Sequence, residues 1–369
     1  MLLTDFRSCA HVDLAPGPGI TILSGANAQG KSTLLEAVYL LATSRSPRAS
    51  KDVEMIRWGQ EVALAAAEVA REERGEVRVE VSLSRSEKRA MRVNHVRRVR
   101  VADLVGHLNT VLFSAADIDV VRGEPSLRRR FLNLEIAQIS PHYCHALVQY
   151  RRILEQRNRL LKLIRDDGRG ADTLETWNEQ LIAIGSRIVE RRVAFVAELS
   201  ALASHIHSEI AGASEQLSIT YLPSFPIKPD EDVSTAFRQH LALLQRDEIA
   251  RGATLAGPHR DDLSFLVSGT DVRVYGSQGQ QRSVALATKL AEVELMQQRV
   301  GEAPVLLLDD AGSELDEARR ARLYGLVTGG YQTLVACTDT SGLPAEIVCN
   351  AEQYRVEGGA VQQWMPAAT

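Results

Sequence analysis

The sequence predicts an α/β fold, with mixed sheets around one almost wholly apolar helix and a mostly helical lobe inserted into the chain. Three observations carry that prediction. A strand-like run over residues 19–24, Gly-Ile-Thr-Ile-Leu-Ser, passes through a glycine-bounded loop into residues 31–42, which are apolar on nearly every face and belong between layers. A second run, Val305-Leu306-Leu307-Leu308, follows Pro304 and reads as a strand buried on both faces. Between them, from about residue 126 to residue 210, the texture changes to long charged helical stretches with few turn signals. Residues 1–112 and 252–369 are therefore expected to form one lobe, with 113–251 as the insertion.

The chain opens as strand, turn, strand, and Pro47 limits the apolar helix. Over residues 62–101 short alternating runs such as Val77-Arg78-Val79-Glu80-Val81 predict a small antiparallel sheet, with Val93-Asn94-His95-Val96 as a hairpin turn. Residues 150–165 carry Leu or Ile at 153, 154, 160, 161 and 164, a packed helical hairpin and not a free coiled coil, because too few heptads are sustained. A Pro-rich loop over 218–232 leads to a helix ending near Arg251-Gly252. Strands at 263–267 and 333–337 and a helix near 280–299 complete the pattern.

At 369 residues, 45% hydrophobic and 24% charged, the chain can bury one large core or two moderate ones. No run of about 18 apolar residues occurs, and the start lacks a basic region followed by an apolar one, so a cytoplasmic protein without membrane contact is expected. Cys9, Cys144, Cys337 and Cys349 show no C-x-x-C spacing and are expected as core thiols, not zinc ligands or disulfides. With a formal charge of −4, any nucleic acid must be held through local basic patches.

Chemistry concentrates in three places. Gly25-Ala26-Asn27-Ala28-Gln29-Gly30-Lys31-Ser32 matches G-x-x-x-x-G-K-[ST] between a strand and a helix. There Gly25 and Gly30 let backbone amides point at phosphate oxygens, the helix start at Ser32 and Thr33 adds positive potential, Lys31 reaches the β- and γ-phosphates and the Ser32 hydroxyl coordinates Mg²⁺. At the carboxyl end of the second apolar strand, Asp309 is placed to hold Mg²⁺ through water and Asp310 to orient an attacking water. Ser277-Gln278-Gly279-Gln280 opens a helix: Ser277 is a good N-cap and Gly279 admits a phosphate, although taken alone the segment is simply a capped helix.

The distance of about thirty residues from Ser277 to the paired acids resembles the signature motif of ABC-type ATPases, and Ser313 to Asp316 resembles their D-loop. Phe6-Arg7-Ser8, Leu34-Leu35-Glu36-Ala37, Ser46-Pro47-Arg48, Arg128-Arg129-Arg130-Phe131-Leu132, Gly257-Pro258-His259-Arg260-Asp261-Asp262 and Ser277-Gln278-Gly279-Gln280-Gln281-Arg282 resemble blocks of the RecF family. The resemblance implies an ABC-type ATPase head using ATP and Mg²⁺, and an ATP-dependent homodimer. In that dimer Ser277, Gln278, Gly279 and Gln280 clasp the ATP of the partner, with Asp316 in the D-loop. It also implies weak DNA-stimulated hydrolysis, binding to double-stranded or gapped DNA, and cooperation with RecR and RecO in loading RecA. Three features depart from the pattern: Ala28 stands where the family usually has Gly, Ser32 where it has Thr, and Thr338-Asp339 where transport ATPases carry a His, which predicts slow hydrolysis. The glutamine of the Q-loop has no assigned position.

Candidate DNA contacts are Arg97, Arg98 and Arg100, and Arg128, Arg129 and Arg130, which would neutralise phosphates; each cluster also fits a solvated face. Aromatics make up only 5% of the chain and do not interleave with these clusters, so base stacking is not expected. His259 lacks a second His or Cys at metal spacing and reads as structural or interfacial. Other readings of the whole chain are an SMC-like or zinc-hook head, a transporter nucleotide-binding domain, and a non-catalytic ATP-sensing scaffold.

Overall fold

A computed structural model describes residues 1–72, 75–212, 215–312 and 315–364. Its central sheet runs in the order Ala360–Gln363, Ala351–Glu357, Ile20–Ser24, Thr333–Cys337, Val305–Asp309, Thr110–Ser114, parallel throughout except for the first strand. Alternate residues of the inner strands enter two different cores: Leu23, Leu307, Leu334 and Ala336 face one, and Ile22, Leu306, Leu308 and Val335 face the other. Two-sided burial is what the apolar run at 305–308 predicted. It also locks the register, since a slip of one residue would exchange every side chain between the cores.

The helix Lys31–Thr43 fills the first core, with every residue except Ser32 buried. Its far side meets a six-stranded antiparallel sheet in the order Cys9–Asp13, Leu2–Phe6, Val62–Arg71, Gly75–Ser84, Ala90–Val93, Val96–Arg98. The expected hairpin turn is present, with Asn94 and His95 both in the left-handed region at φ 49° and 65°. The helix stops at Ser44 (φ 55°), before Pro47 could break it.

Four helices, Pro125–Ile139, Pro141–Asp167, Leu174–Ala211 and Val233–Arg251, make up most of the inserted lobe. Two details differ from expectation. Residues 218–222 are not loop: Leu217–Leu222 is a strand with Leu217, Ile219 and Tyr221 buried, paired antiparallel with Asp262–Val267. The prolines at 223 and 226 drew attention from a short alternating pattern just before them. Cys349 is exposed, whereas Cys9, Cys144 and Cys337 are buried as expected. Strand Thr110–Ser114 lies across the 112/113 boundary, and the pairing of Leu217–Leu222 with Asp262–Val267 crosses the one at 251/252. No helix among the described residues is long and apolar enough to cross a membrane.

The lobe's interior is held by buried arginines. Arg157, fully buried, donates to Glu248 Oε2 at 2.6 Å, Asn178 Oδ1 at 2.8 Å and Thr254 Oγ1 at 2.8 Å. Arg192 donates to Tyr143 Oη at 2.9 Å, Asn133 Oδ1 at 2.8 Å and the Pro258 carbonyl at 2.7 Å. Because every guanidinium nitrogen of both arginines has a partner in a low-dielectric setting, removing one partner strands a charge and costs far more than the pair contributes. Arg157→Met should lower unfolding free energy by about 3–5 kcal/mol, and Arg157→Met with Glu248→Leu by clearly less; denaturant titration checks both.

Candidate functional site

The loop between strand Ile20–Ser24 and helix Lys31–Thr43 is shaped by contacts from far along the chain. A Cβ at Gly25 would lie 2.3 Å from the Val356 carbonyl oxygen, so the neighbouring strand leaves room for glycine alone. Gly30, at φ 111°, is the N-cap of the helix. Ala28 sits in the left-handed region at φ 63°, a conformation that costs an alanine about 1 kcal/mol and a glycine almost nothing. Gln29 is clamped by the hairpin of the last two strands: its carbonyl accepts from Gly359 N at 2.9 Å and its side chain from Gly358 N at 2.7 Å. Lys31 is buried and donates to the carbonyls of Gly25 and Ala26 at 2.7 and 2.8 Å, folding its ammonium over the loop. Asn27 Oδ1 accepts from Thr338 Oγ1 at 3.4 Å, which brings the Thr338-Asp339 step to the loop's edge.

The structure joins the two ends of the chain at Asp309. Ser32 Oγ donates to Asp309 Oδ1 at 2.6 Å, and Arg48 Nη2 donates to Asp309 Oδ2 at 2.5 Å. Arg48 is positioned in turn. Ser46 Oγ accepts from the backbone amides of Arg48 at 2.9 Å and Ala49 at 2.7 Å, and donates to the buried Glu36, which Arg7 grips through two bonds of 3.0 and 2.7 Å. Three short sequence blocks thus become one chain of polar contacts running from Arg7 to Asp309. Arg48 was missed as a site residue because nothing in the sequence connects it to a carboxylate 261 positions away. Asp310, in the left-handed region at φ 50°, helps line a cleft of about 220 Å³ with Thr338, Asp339 and Arg320. Partial burial and then the neighbouring Asp309 raise its carboxyl above the ordinary aspartate value, against Lys31 and Arg48, which lower it.

Ser277 caps helix Gln278–Val300 in a reciprocal box: its Oγ accepts from Gln280 N at 3.1 Å, and Gln280 Oε1 accepts from Ser277 N at 3.0 Å. Ser277 and Gln278 are exposed, and the adjacent Val274 and Tyr275 expose large apolar surfaces. Arg319, unnoticed in the sequence, ties this helix start to Asp316: its guanidinium donates to the Gly279 carbonyl at 2.8 Å, to Ser283 Oγ at 3.0 Å, and to the Asp316 carboxylate. Asp316 itself caps helix Glu317–Val327; Ser313 and Glu314 lie outside the described residues. Among the described residues no hydrogen bond or ion pair joins Ser277–Gln280 to the loop at Gly25–Ser32.

The arginine clusters divide. Arg128 is not a surface contact: it is buried, paired with Asp262 through bonds of 2.6 and 3.0 Å, and is a structural tie. Arg129 donates to the Asp261 carbonyl at 2.9 Å and Arg130, exposed, to the Ser46 carbonyl at 2.6 Å. Arg97 and Arg100 are exposed at the outer hairpin and Arg98 is half-buried. His259 packs internally, its Nδ1 2.8 Å from Tyr150 Oη, with burial holding its pKa down at about 4.

A parallel sheet, a glycine loop capping a buried helix, and a paired-acid strand facing that loop define a phosphate-loop protein of the ABC-type ATPase-head class. The family model for the RecF/RecN/SMC N terminal domain matches residues 1–345. The chain is 40% identical over 365 residues to the DNA replication and repair protein RecF of Geobacillus kaustophilus, covering 98% of each, and 39% identical over 363 residues to that of Bacillus subtilis, covering 97% of this chain and 98% of the relative. It superposes on a solved structure of the recombination mediator protein RecF with ATP at TM-score 0.90 and 32% identity, over 99% of this chain and 96% of the other. A Pyrococcus furiosus Smc head domain shares the fold at TM-score 0.54 and 18% identity, over 98% and 94%. The chain belongs to the RecF family of DNA replication and repair proteins.

Because the Gly25 position is closed by backbone, Gly25→Ala should displace either the loop or strand Ala351–Glu357. The expected result is a lower melting temperature with new hydrogen exchange at Gln29, Gly358 and Gly359, read by exchange mass spectrometry; an unchanged exchange pattern would show that a Cβ at position 25 is accommodated without displacing the loop or the strand.

Proposed function

We propose that this chain is an ATP-driven DNA-binding switch of recombinational repair. The observation that carries the reading is the convergence of Lys31, Ser32, Asp309 and Arg48 on one loop. Gly25, Ala26, Asn27, Ala28, Gln29, Gly30 and Thr33 supply backbone amides to the triphosphate, and Lys31 swings from its two carbonyls to the β- and γ-phosphates. The Ser32 hydroxyl and Asp309 carboxylate, hard oxygen donors 2.6 Å apart, fit Mg²⁺, which when bound offsets phosphate charge. At the 220 Å³ cleft the Asp310 carboxylate accepts a hydrogen bond from a water and so orients it toward the γ-phosphate. Thr338 and Asp339 carry no ring nitrogen to assist, in keeping with slow turnover.

Ser277, Gln278, Gly279 and Gln280 would form a second cradle, one with no bond to the first among the described residues, and in this reading an ATP is clasped between the two across a dimer. Exposed Val274 and Tyr275 beside that cradle supply the apolar contact such an interface requires. Arg319, bonded to Gly279, Ser283 and Asp316, connects the cradle to the D-loop. The clasped dimer would bind double-stranded or gapped DNA through phosphates, with Arg97, Arg98, Arg100, Arg129 and Arg130 as candidates, and act with RecR and RecO, and through them RecA. Hydrolysis, DNA-stimulated but weak, would release the clasp.

Three variants test the reading. Asp310→Asn should retain ATP and slow its hydrolysis, and wild-type turnover should fall on acidification before an ordinary aspartate titrates, because the raised pKa protonates Asp310 early. A pH–rate profile whose acid limb survives in the variant would assign the water to another residue. Ser277→Arg should bind ATP as a monomer yet fail to dimerise and to bind DNA in light scattering with ATP, ADP and duplex DNA, whereas a mere cap loss costs about 1 kcal/mol of stability. Dimerisation of that variant with ATP would refute the two-site clasp, and unchanged ATP affinity in Lys31→Ala would refute the phosphate loop.

A further inference from the structure

Between the Ser46 loop and the helical lobe lies a cavity of about 610 Å³ that the nucleotide site does not use. Among the described residues, five arginines line it, Arg45, Arg129, Arg130, Arg151 and Arg192, and no carboxylate does. Arg192 is consumed by the lobe's internal network, Arg129 bonds the Asp261 carbonyl, and Arg151 pairs with Glu155 outside the cavity. Arg45 has no ion pair among the described residues, and Arg130 holds only the Ser46 carbonyl, a neutral acceptor. Burial, then Arg89, Arg151 and Arg130, depress the Arg45 pKa, against Asp52, which raises it, so the guanidinium is crowded by more like charge than opposite charge. The floor is different in kind: Val105, Leu134, Ala137, Leu147 and Leu154 give it an apolar surface.

We infer that this inter-lobe cavity is a second anion site that takes a single nucleotide unit, its phosphate on Arg45 and Arg130 and its base on the apolar floor. Guanidinium groups suit phosphate oxygens because they offer paired donors in one plane. The volume lies within the roughly 300–1,000 Å³ of small-ligand sites, which admits a mononucleotide or one nucleotide of a strand and excludes a duplex. A phosphate that draws Arg130 off the Ser46 carbonyl acts on the loop whose Ser46 Oγ orders the Arg48 amide, and Arg48 holds Asp309. Occupancy of the cavity therefore biases the ATP site, and by linkage the reverse holds too. Only this coupling rests on the ATP reading above; the anion site stands without it.

The test uses the full chain carrying Lys31→Ala, so that the first site loses its cation, titrated calorimetrically with adenosine monophosphate, a short single-stranded oligonucleotide and pyrophosphate. Adenosine monophosphate or the oligonucleotide should bind, pyrophosphate more weakly than either, and Arg45→Ala with Arg130→Ala should weaken binding at least about tenfold, the loss of a charge-assisted contact. Arg45→Lys with Arg130→Lys should recover part of it, which separates lost charge from lost fold. Binding of the monophosphate alone identifies a free nucleotide as the source; binding of the oligonucleotide alone identifies a DNA strand. No binding by either, affinity indifferent to the arginine pair, or pyrophosphate binding as well as the nucleotides would overturn the site. If Lys31→Ala keeps wild-type ATP affinity, the phosphate-loop reading falls while the arginine comparison still decides the cavity.

Discussion

Ser32 and Asp309 meet because strands Ile20–Ser24, Thr333–Cys337 and Val305–Asp309 hold one parallel register, in which Ser24 lies beside Cys337 and Ala336 beside Asp309. That register is held by burial on both faces, so the alternation of Leu306 and Leu308 against Leu307 sets the site as firmly as any polar contact does. The hydroxyl and the carboxylate need no dedicated scaffold. The carboxylate stands at the carboxyl end of its strand, and the hydroxyl in the first turn of helix Lys31–Thr43, which follows the carboxyl end of Ile20–Ser24 one strand away, at the edge where α/β sheets leave a crevice.

A second level of order comes from buried charge. Asp262 holds Arg128, which also donates to the Gly123 carbonyl at 2.6 Å, while the adjacent Asp261 accepts from Tyr221 and from Ser224 N. Adjacent acids thus fasten the start of the helical lobe and its strand Leu217–Leu222 to the same turn. The larger hydrophobic core runs through both lobes, from Ile22 and Leu306 of the sheet to Leu181 and Phe237 of the lobe. A pairing that is poor value in stability still fixes which surfaces meet, because mispaired arginines would be left buried and unsatisfied.

What the sequence made legible follows from locality. The loop Gly25–Ser32, the helix behind it, the acid strand and the Ser277 cap each announce themselves within a few residues, through periodicity or a local hydrogen-bonding need. Arg48, Arg319 and the Gln29 clamp could not be read that way, since their partners lie dozens to hundreds of positions off. Arg128 failed for the opposite reason. Three consecutive arginines on a helix look alike in sequence, but at helical spacing they point in different directions, and only the fold decides that one faces Asp262 inside and another faces solvent. The Leu217–Leu222 strand was masked by prolines that belong to the next segment.

The clamp on Gln29 has a consequence for synthesis. Val356, Gly358 and Gly359, which shape and hold the glycine loop, are synthesised more than three hundred residues after it. A nascent chain can form the antiparallel sheet and bury helix Lys31–Thr43 against it, but the loop stays unbraced until the final hairpin docks. The shape of the loop thus depends on residues far downstream of it, and a chain that stops short of them would carry the motif without its brace.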